Sequence, residues 1–200
     1  MAESVMHFAL KTVGLSRCGG RKPCSLLNAA RHNLREIQAE MGADGHIDAQ
    51  RMVDNVRMAG PATATEVQDM ADTLLAGAGI VGLRRDHVQA IEVVFSLPPG
   101  SPVEPMGYFE RCLSWLRKAL PLPVLLATVH ADEAAPHLHV LLLPLRDGRH
   151  IGGEPYKLAS LKPLRESFFQ KVAGPAGLKR DGARMRGNVK QWAIEAVLLE

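Results

Sequence analysis

Apolar and polar positions follow two periods along this chain, and the changes between them mark out its elements. Residues 6–13 read as a first strand, and the Gly- and basic-rich loop 16–23 turns at Gly19-Gly20. A helix starts near Ser25, with Leu26, Ala30, Leu34, Ile37 and Met41 at three-to-four spacing and Gly42 as its stop. His32 projects from the polar side of that helix, which also carries Arg35 and Glu36 at i+3 and i+4. After residues 47–58 and a break at Gly60-Pro61, Thr63 and Glu66 form a capping box for a helix with Val67, Met70, Ala71, Leu74 and Leu75 on one face. Residues 87–97 alternate as a strand, and 105–120 form a helix that buries Phe109, Cys112, Leu113, Leu116 and Leu120. Two short apolar runs, 124–129 and 138–143, read as neighbouring buried strands. Ser160 is placed to cap a further helix facing inward through Leu161, Leu164, Phe168 and Val172, and residues 191–199 form a last one. The irregular alternation predicts an α+β fold, a mostly antiparallel sheet flanked by helices.

Composition narrows the class. The 200 residues, 46% of them hydrophobic, suit one domain with a core of its own. No apolar run is long enough for a membrane span, and residues 1–8 lack the layout of a signal peptide. Three cysteines form neither a CxxC pair nor an even framework, so a reduced, cytoplasmic protein is expected. The net charge of +3 is mild, yet basic residues cluster at Arg17, Arg21 and Lys22, at Arg84 and Arg85, and at Lys179, Arg180, Arg184, Arg186 and Lys190. Such clusters permit contact with a phosphate backbone, although they also suit an ordinary solvated surface.

Three of the eight histidines fall within residues 130–139, His-Ala-Asp-Glu-Ala-Ala-Pro-His-Leu-His. On a strand His137 and His139 point to one face while Leu138 turns to the other. His130 ends the preceding strand and Glu133 lies in the connection, so a short reversal brings His130, Glu133, His137 and His139 to one divalent ion. Two histidines alone are more simply a hydrogen-bonded surface pair; four candidate ligands are not. Three imidazoles suit manganese, zinc, nickel or cobalt better than magnesium, and a closed structural zinc site would be expected to include cysteine. Asp132 is placed as an acceptor behind a ligand imidazole.

These residues resemble the pattern His-x-Asp-Glu-x-x-Pro-His-x-His of the MobV-type (Mob/Pre) plasmid mobilisation relaxases, members of the HUH endonuclease class. Arg31-His32-Asn33-Leu34-Arg35 looks like the family's first motif and Asp48-x-x-Arg51-x-x-x-Asn55 like its second. Weaker agreement appears at Arg85-Asp86 with Glu92 and in the turn at residues 144–148. The resemblance spans roughly residues 6–182. It implies a metal-dependent relaxase that nicks one strand at a plasmid transfer origin by transesterification and stays attached to the 5′ phosphate.

The nucleophile implied is His32, giving a phosphohistidine, with Glu133 counted among both the catalytic residues and the ligands. The implied ion is Mn2+, with Mg2+, Zn2+, Ni2+ or Co2+ as alternatives. Tyr156, in a loop after the metal motif, is the rival nucleophile. Expected DNA contacts are Arg21, Lys22, Arg31, Arg35, Asp48, Arg51, Asn55, Lys179, Arg180 and Arg184, the second motif serving either DNA or the nucleophile helix. Implied partners are single-stranded or hairpin origin DNA and accessory mobilisation and coupling proteins. The 200 residues then form one origin-nicking domain, expected to be the N-terminal part of a longer protein. Two other readings remain open: a phosphodiesterase that hydrolyses through activated water, and a DNA-binding module with a structural metal.

Overall fold

The computed structural model describes residues 5–14, 24–37, 47–84 and 86–180. Five strands form one sheet: β1 (His7–Gly14), β2 (Val56–Ala59), β3 (Val88–Ser96), β4 (Val124–His130) and β5 (His137–Leu142), in the order β1-β3-β5-β4-β2 with every pair antiparallel. A small hairpin of β6 (Leu145–Arg146) and β7 (Arg149–His150) lies apart. The α+β fold expected from the pattern is the fold observed.

Because side chains alternate across a strand, each sheet face gathers its own core. On one face Phe8, Ile91, Phe95, Leu138 and Val140 meet α3 (Pro105–Ala119) and α4 (Leu158–Phe168). There Phe8, Phe95, Trp115 and Phe168 hold their ring centroids 5.1–6.2 Å apart. On the other face Val13, Ala90, Leu126 and Leu141 meet α1 (Leu26–Asn33) and α2 (Ala64–Gly77). Small residues, Ala29, Ala30, Ala64 and Ala71, let these two helices lie close to the sheet. Gly60, at φ +93°, makes the turn out of β2, where a Cβ would stand 2.2 Å from the Leu125 carbonyl oxygen.

Local signals hold at most ends. Ser25 caps α1, and Thr63 and Glu66 close the capping box of α2. Two expectations fail. The first helix is not continuous: α1 ends at Asn33, Arg35 takes the left-handed conformation at φ 62°, helical backbone resumes at Glu36 and Ile37, and Met41 lies outside the described residues. Ser160 does not cap α4, which begins at Leu158 after Lys157 with no side-chain cap. The 191–199 helix and the Gly19-Gly20 turn lie outside the described residues.

Phe95 is fully buried within the aromatic cluster. Phe95→Ala should therefore cost about 3–5 kcal/mol in denaturant unfolding, and a loss below about 1 kcal/mol would contradict this packing.

Candidate metal centre

β4 ends at His130 and β5 begins at His137, and the antiparallel register sets the two opposite each other. His139 stands opposite Thr128 on the same face, beneath the end of α1. The three rings lie 4.8–5.0 Å apart by centroids, and one ligand nitrogen from each lies within 4.8 Å of the others.

Their surroundings decide which nitrogens carry hydrogen. His130 Nε2 is 2.8 Å from the Asn33 carbonyl oxygen, His137 Nδ1 is 2.8 Å from the Ala135 carbonyl oxygen, and His139 Nδ1 is 2.6 Å from Glu92 Oε1. None of these oxygens can donate, so each facing nitrogen is the N–H donor and the other nitrogen of each ring keeps a lone pair. His130 Nδ1 and His137 Nε2 are thereby left as two lone pairs 3.3 Å apart. Two nitrogens bound about 2.1 Å from one ion stand roughly 3.0–3.5 Å apart. A cation converts that repulsive contact into a chelate, so the donor set fits a divalent transition metal.

Burial keeps His130 and His139 neutral. Burial, and next the neighbouring His139, push His130 down to about 3, and burial also lowers His139 despite its carboxylate partner. Burial would raise Glu92, but the His139 N–H and the Lys11 ammonium at 2.7 Å bring it to about 2. The carboxylate is thus a permanent acceptor behind His139.

Helix α1 enters this arrangement through its broken end. A helix terminus leaves carbonyls without partners, and the Asn33 carbonyl accepts from His130. Asn33 Nδ2 also donates to Glu92 at 3.3 Å. The exposed His32, one residue earlier, is carried to ring-centroid distances of 6.4 Å from His130 and 6.1 Å from His139. Although its edge is open to solvent, desolvation by the surrounding protein, then the Arg35 charge, lower its pKa and favour the neutral ring.

The model of the Mob/Pre plasmid recombination enzyme family matches residues 14–173. The chain belongs to the Mob/Pre family. No curated protein matches it. Among solved structures it is similar to the MobM relaxase domain bound to plasmid pMV158 oriT DNA. In a Mn-bound complex at pH 6.8 that carries a 3′ thiophosphate the two chains are 17% identical, with a TM-score of 0.73, covering 92% of this chain and 93% of that one. A Mn-bound complex at pH 4.6 gives 16% identity and a TM-score of 0.72, covering 92% and 94%.

Around this Mob/Pre site the expected residues fall into distinct places. Asp132 accepts from no imidazole: its oxygens take Arg35 Nε at 2.9 Å, Arg35 Nη2 at 2.6 Å and Asn55 Nδ2 at 2.6 Å. Asn33, Ala135 and Glu92 are the imidazole acceptors instead. Glu133 Oε1 is 3.9 Å from His137 Nε2 but is bonded to Arg35 Nη2 at 2.8 Å, so its charge is already paired. Arg35, 4% exposed, braces the interior through these bonds to Asp132 and Glu133. Asn55 is a clamp, its Oδ1 accepting from Ala131 N at 2.8 Å while Nδ2 holds Asp132. Asp48 caps a short 3-10 helix, Ala49–Asp54, and its backbone N–H donates to the Asp132 carbonyl oxygen at 2.8 Å.

Arg31, its side chain 40% exposed, lies 3.9 Å from Glu36, and Arg51 is exposed on the 3-10 helix. Arg180 is paired with Glu166 and stacked 4.2 Å over Phe169, beside α4 on the other side of the sheet. The Lys179 backbone bonds Met6 at the β1 edge. Arg21, Lys22, Arg85 and Arg184 lie outside the described residues. The turn that carries Tyr156 lies through Gly153 against Thr12 and Val88, whose pairing positions on β3 are three and six residues from Val94, the partner of His139. Lys11 and the full role of Glu92 went unread, although a glutamate inside the apolar strand Val-Gln-Ala-Ile-Glu-Val-Val-Phe-Ser demands a buried partner.

Stability of the metal-free protein should depend on pH through His130. Its folded value of about 3 lies below the ordinary 6.5, so the unfolded chain binds more protons between those values. Stability is then full above pH 6.5 and falls as pH drops from about 6.5 towards 3. Thermal unfolding in chelator across that range should show the fall, more gently in His130→Gln; an unchanged slope in the variant would show that His130 is not buried neutral.

Proposed function

We propose that this chain is a metal-dependent DNA relaxase domain that nicks one strand at a transfer origin with His32 as the attacking group. The observation that carries the reading is the His32 ring, held 6.1–6.4 Å from the buried His130 and His139, two of three imidazoles with converging lone pairs. Family membership supports it, as do the MobM relaxase domains bound to oriT DNA with manganese.

His130, His137 and His139 would hold the ion, Mn2+ by preference. Bound there, it would supply positive charge to a phosphate oxygen. The residues of the chain do the rest. The β4–β5 register and three fixed tautomers preset the donor set. The Asn33 carbonyl sets the height of α1, so His32 faces the phosphate without a further rearrangement. Its nitrogen forms a bond to phosphorus as the bond from phosphorus to the 3′ oxygen breaks. The imidazole loses a proton overall and the 3′ oxygen gains one, leaving a 5′ phosphoramidate and a free 3′ hydroxyl. Arg31 and Arg51 would hold the flanking strand by charge, with affinity that falls as salt rises. Among the described residues no helix is long and apolar enough to cross a membrane.

A single-stranded origin oligonucleotide incubated with Mn2+ should give a covalent protein–DNA band on a denaturing gel, with the modified peptide containing His32. His32→Ala should lose the band and at least 1,000-fold in cutting rate, on the order expected for loss of a nucleophile. His137→Ala should lose cutting while keeping its fold. An adduct that persists in His32→Ala, or that maps to Tyr156, would overturn the assignment. Nicking with no adduct in the wild type would favour hydrolysis by activated water.

A further inference from the structure

Lys11 lies on β1, an edge strand, and is paired in register with Glu92 of β3. With Val13 it shares the sheet face that carries α1, Glu92 and His139. Its Nζ is 2.7 Å from Glu92 Oε2, and its side chain is 46% exposed against 4% for Glu92. The other carboxylate oxygen, Oε1, accepts from His139 Nδ1 at 2.6 Å and from Asn33 Nδ2 at 3.3 Å. A chain of contacts thus crosses three strands, from a half-exposed ammonium on β1, through a buried carboxylate on β3, to a candidate ligand imidazole on β5.

A carboxylate behind a ligand imidazole strengthens it as a donor, because the negative charge pushes electron density through the N–H into the ring. An unpaired carboxylate does this most. Lys11 stands against the oxygen that His139 does not use, at the length of a charge-assisted hydrogen bond, and burial of Glu92 leaves little water to screen the two charges. With its charge shared between a cation and an imidazole N–H, the carboxylate polarises His139 less than it would alone. His130 and His137 donate instead to the backbone carbonyls of Asn33 and Ala135. His139 is therefore the ligand whose donor strength follows a side-chain charge, and Lys11 moderates that charge.

We propose that Lys11 is a positioning residue of the metal centre, acting through Glu92 to hold down the donor strength of His139 and with it the grip of the three imidazoles on their ion. The proposal rests on the metal half of the reading above. The centre then binds its ion less tightly than it would with an unpaired Glu92, and more of the ion's positive charge is left for a phosphate oxygen. A lysine that served packing alone would act in the opposite direction, since its loss would loosen Glu92 and His139 and weaken metal binding.

Titration calorimetry of the metal-free protein with Mn2+ alone, in the absence of DNA, separates these signs. Lys11→Met should bind Mn2+ about tenfold more tightly than wild type, the lower end of what a partner behind a ligand changes. Lys11→Gln, which keeps a donor without the charge, should tighten binding in the same direction, and Lys11→Arg should restore the wild-type affinity. Because Lys11 is half exposed, neither neutral variant opens a cavity in the core. In a Glu92→Gln background, Lys11→Met should change affinity by less than about twofold, the mark of two residues acting as one unit. A full gain in that background would show that Lys11 acts on the ion directly through space and would overturn the proposal. Unchanged or weaker binding in both neutral variants would overturn it too, while leaving the metal site standing. A wild type that binds no Mn2+ would instead remove the metal reading itself, and this inference with it.

Discussion

The hydrogen bond from His130 Nε2 to the Asn33 carbonyl oxygen is the constraint on which the site depends. It fixes the His130 tautomer, so that Nδ1 faces His137. It gives a carbonyl orphaned by the early end of α1 its partner, and it sets where the last turn of that helix rests on the sheet. His32 is positioned as a consequence. One bond thus ties the donor set of β4 and β5 to the imidazole proposed to attack phosphorus. The three imidazoles and His32 are brought together by the fold itself.

Charge is arranged to keep that geometry rigid. Arg35 and Asp132 form a pair with almost no exposure, joined by two hydrogen bonds and supported by Asn55 and Glu133. Burial works against both charges, yet these bonds raise the Arg35 pKa and lower that of Asp132, so the pair stays ionised. Breaking such a pair from one side leaves a bare buried charge, which costs far more than a surface ion pair would. The short helix led by Asp48 and the Asn55 clamp serve the same loop. Asp48 and Asn55 therefore brace the turn between His130 and His137.

Much of this was legible because it depends on local spacing. A period of two puts His137 and His139 on one face, and apolar runs of six or seven residues mark β4 and β5. The capping box at Thr63 needs only Glu66. What could not be read depends on partners distant in the chain. Neither Leu34 nor Arg35 is a helix breaker, and α1 stops there because Arg35 bonds Asp132, 97 residues away. Asp132 looked like an imidazole acceptor from its place in the motif, but Arg35 and Asn55 occupy it first. Glu92 could have been found from its own strand, since a carboxylate in an apolar run implies buried counter-groups. Lys11 left no such mark: one lysine in the first strand is indistinguishable from a solvated charge until β1 is paired with β3.

The central claim is that three imidazoles, each with an N–H committed to a fixed acceptor, converge on one divalent ion. Pulsed electron paramagnetic resonance of protein loaded with one equivalent of Mn2+ reads this directly, because each ligating nitrogen couples to the electron spin. Three equivalent or near-equivalent imidazole nitrogens are predicted, falling to two in His139→Ala. A signal without nitrogen coupling, or one unchanged by that substitution, would place the ion on carboxylates elsewhere and contradict the account.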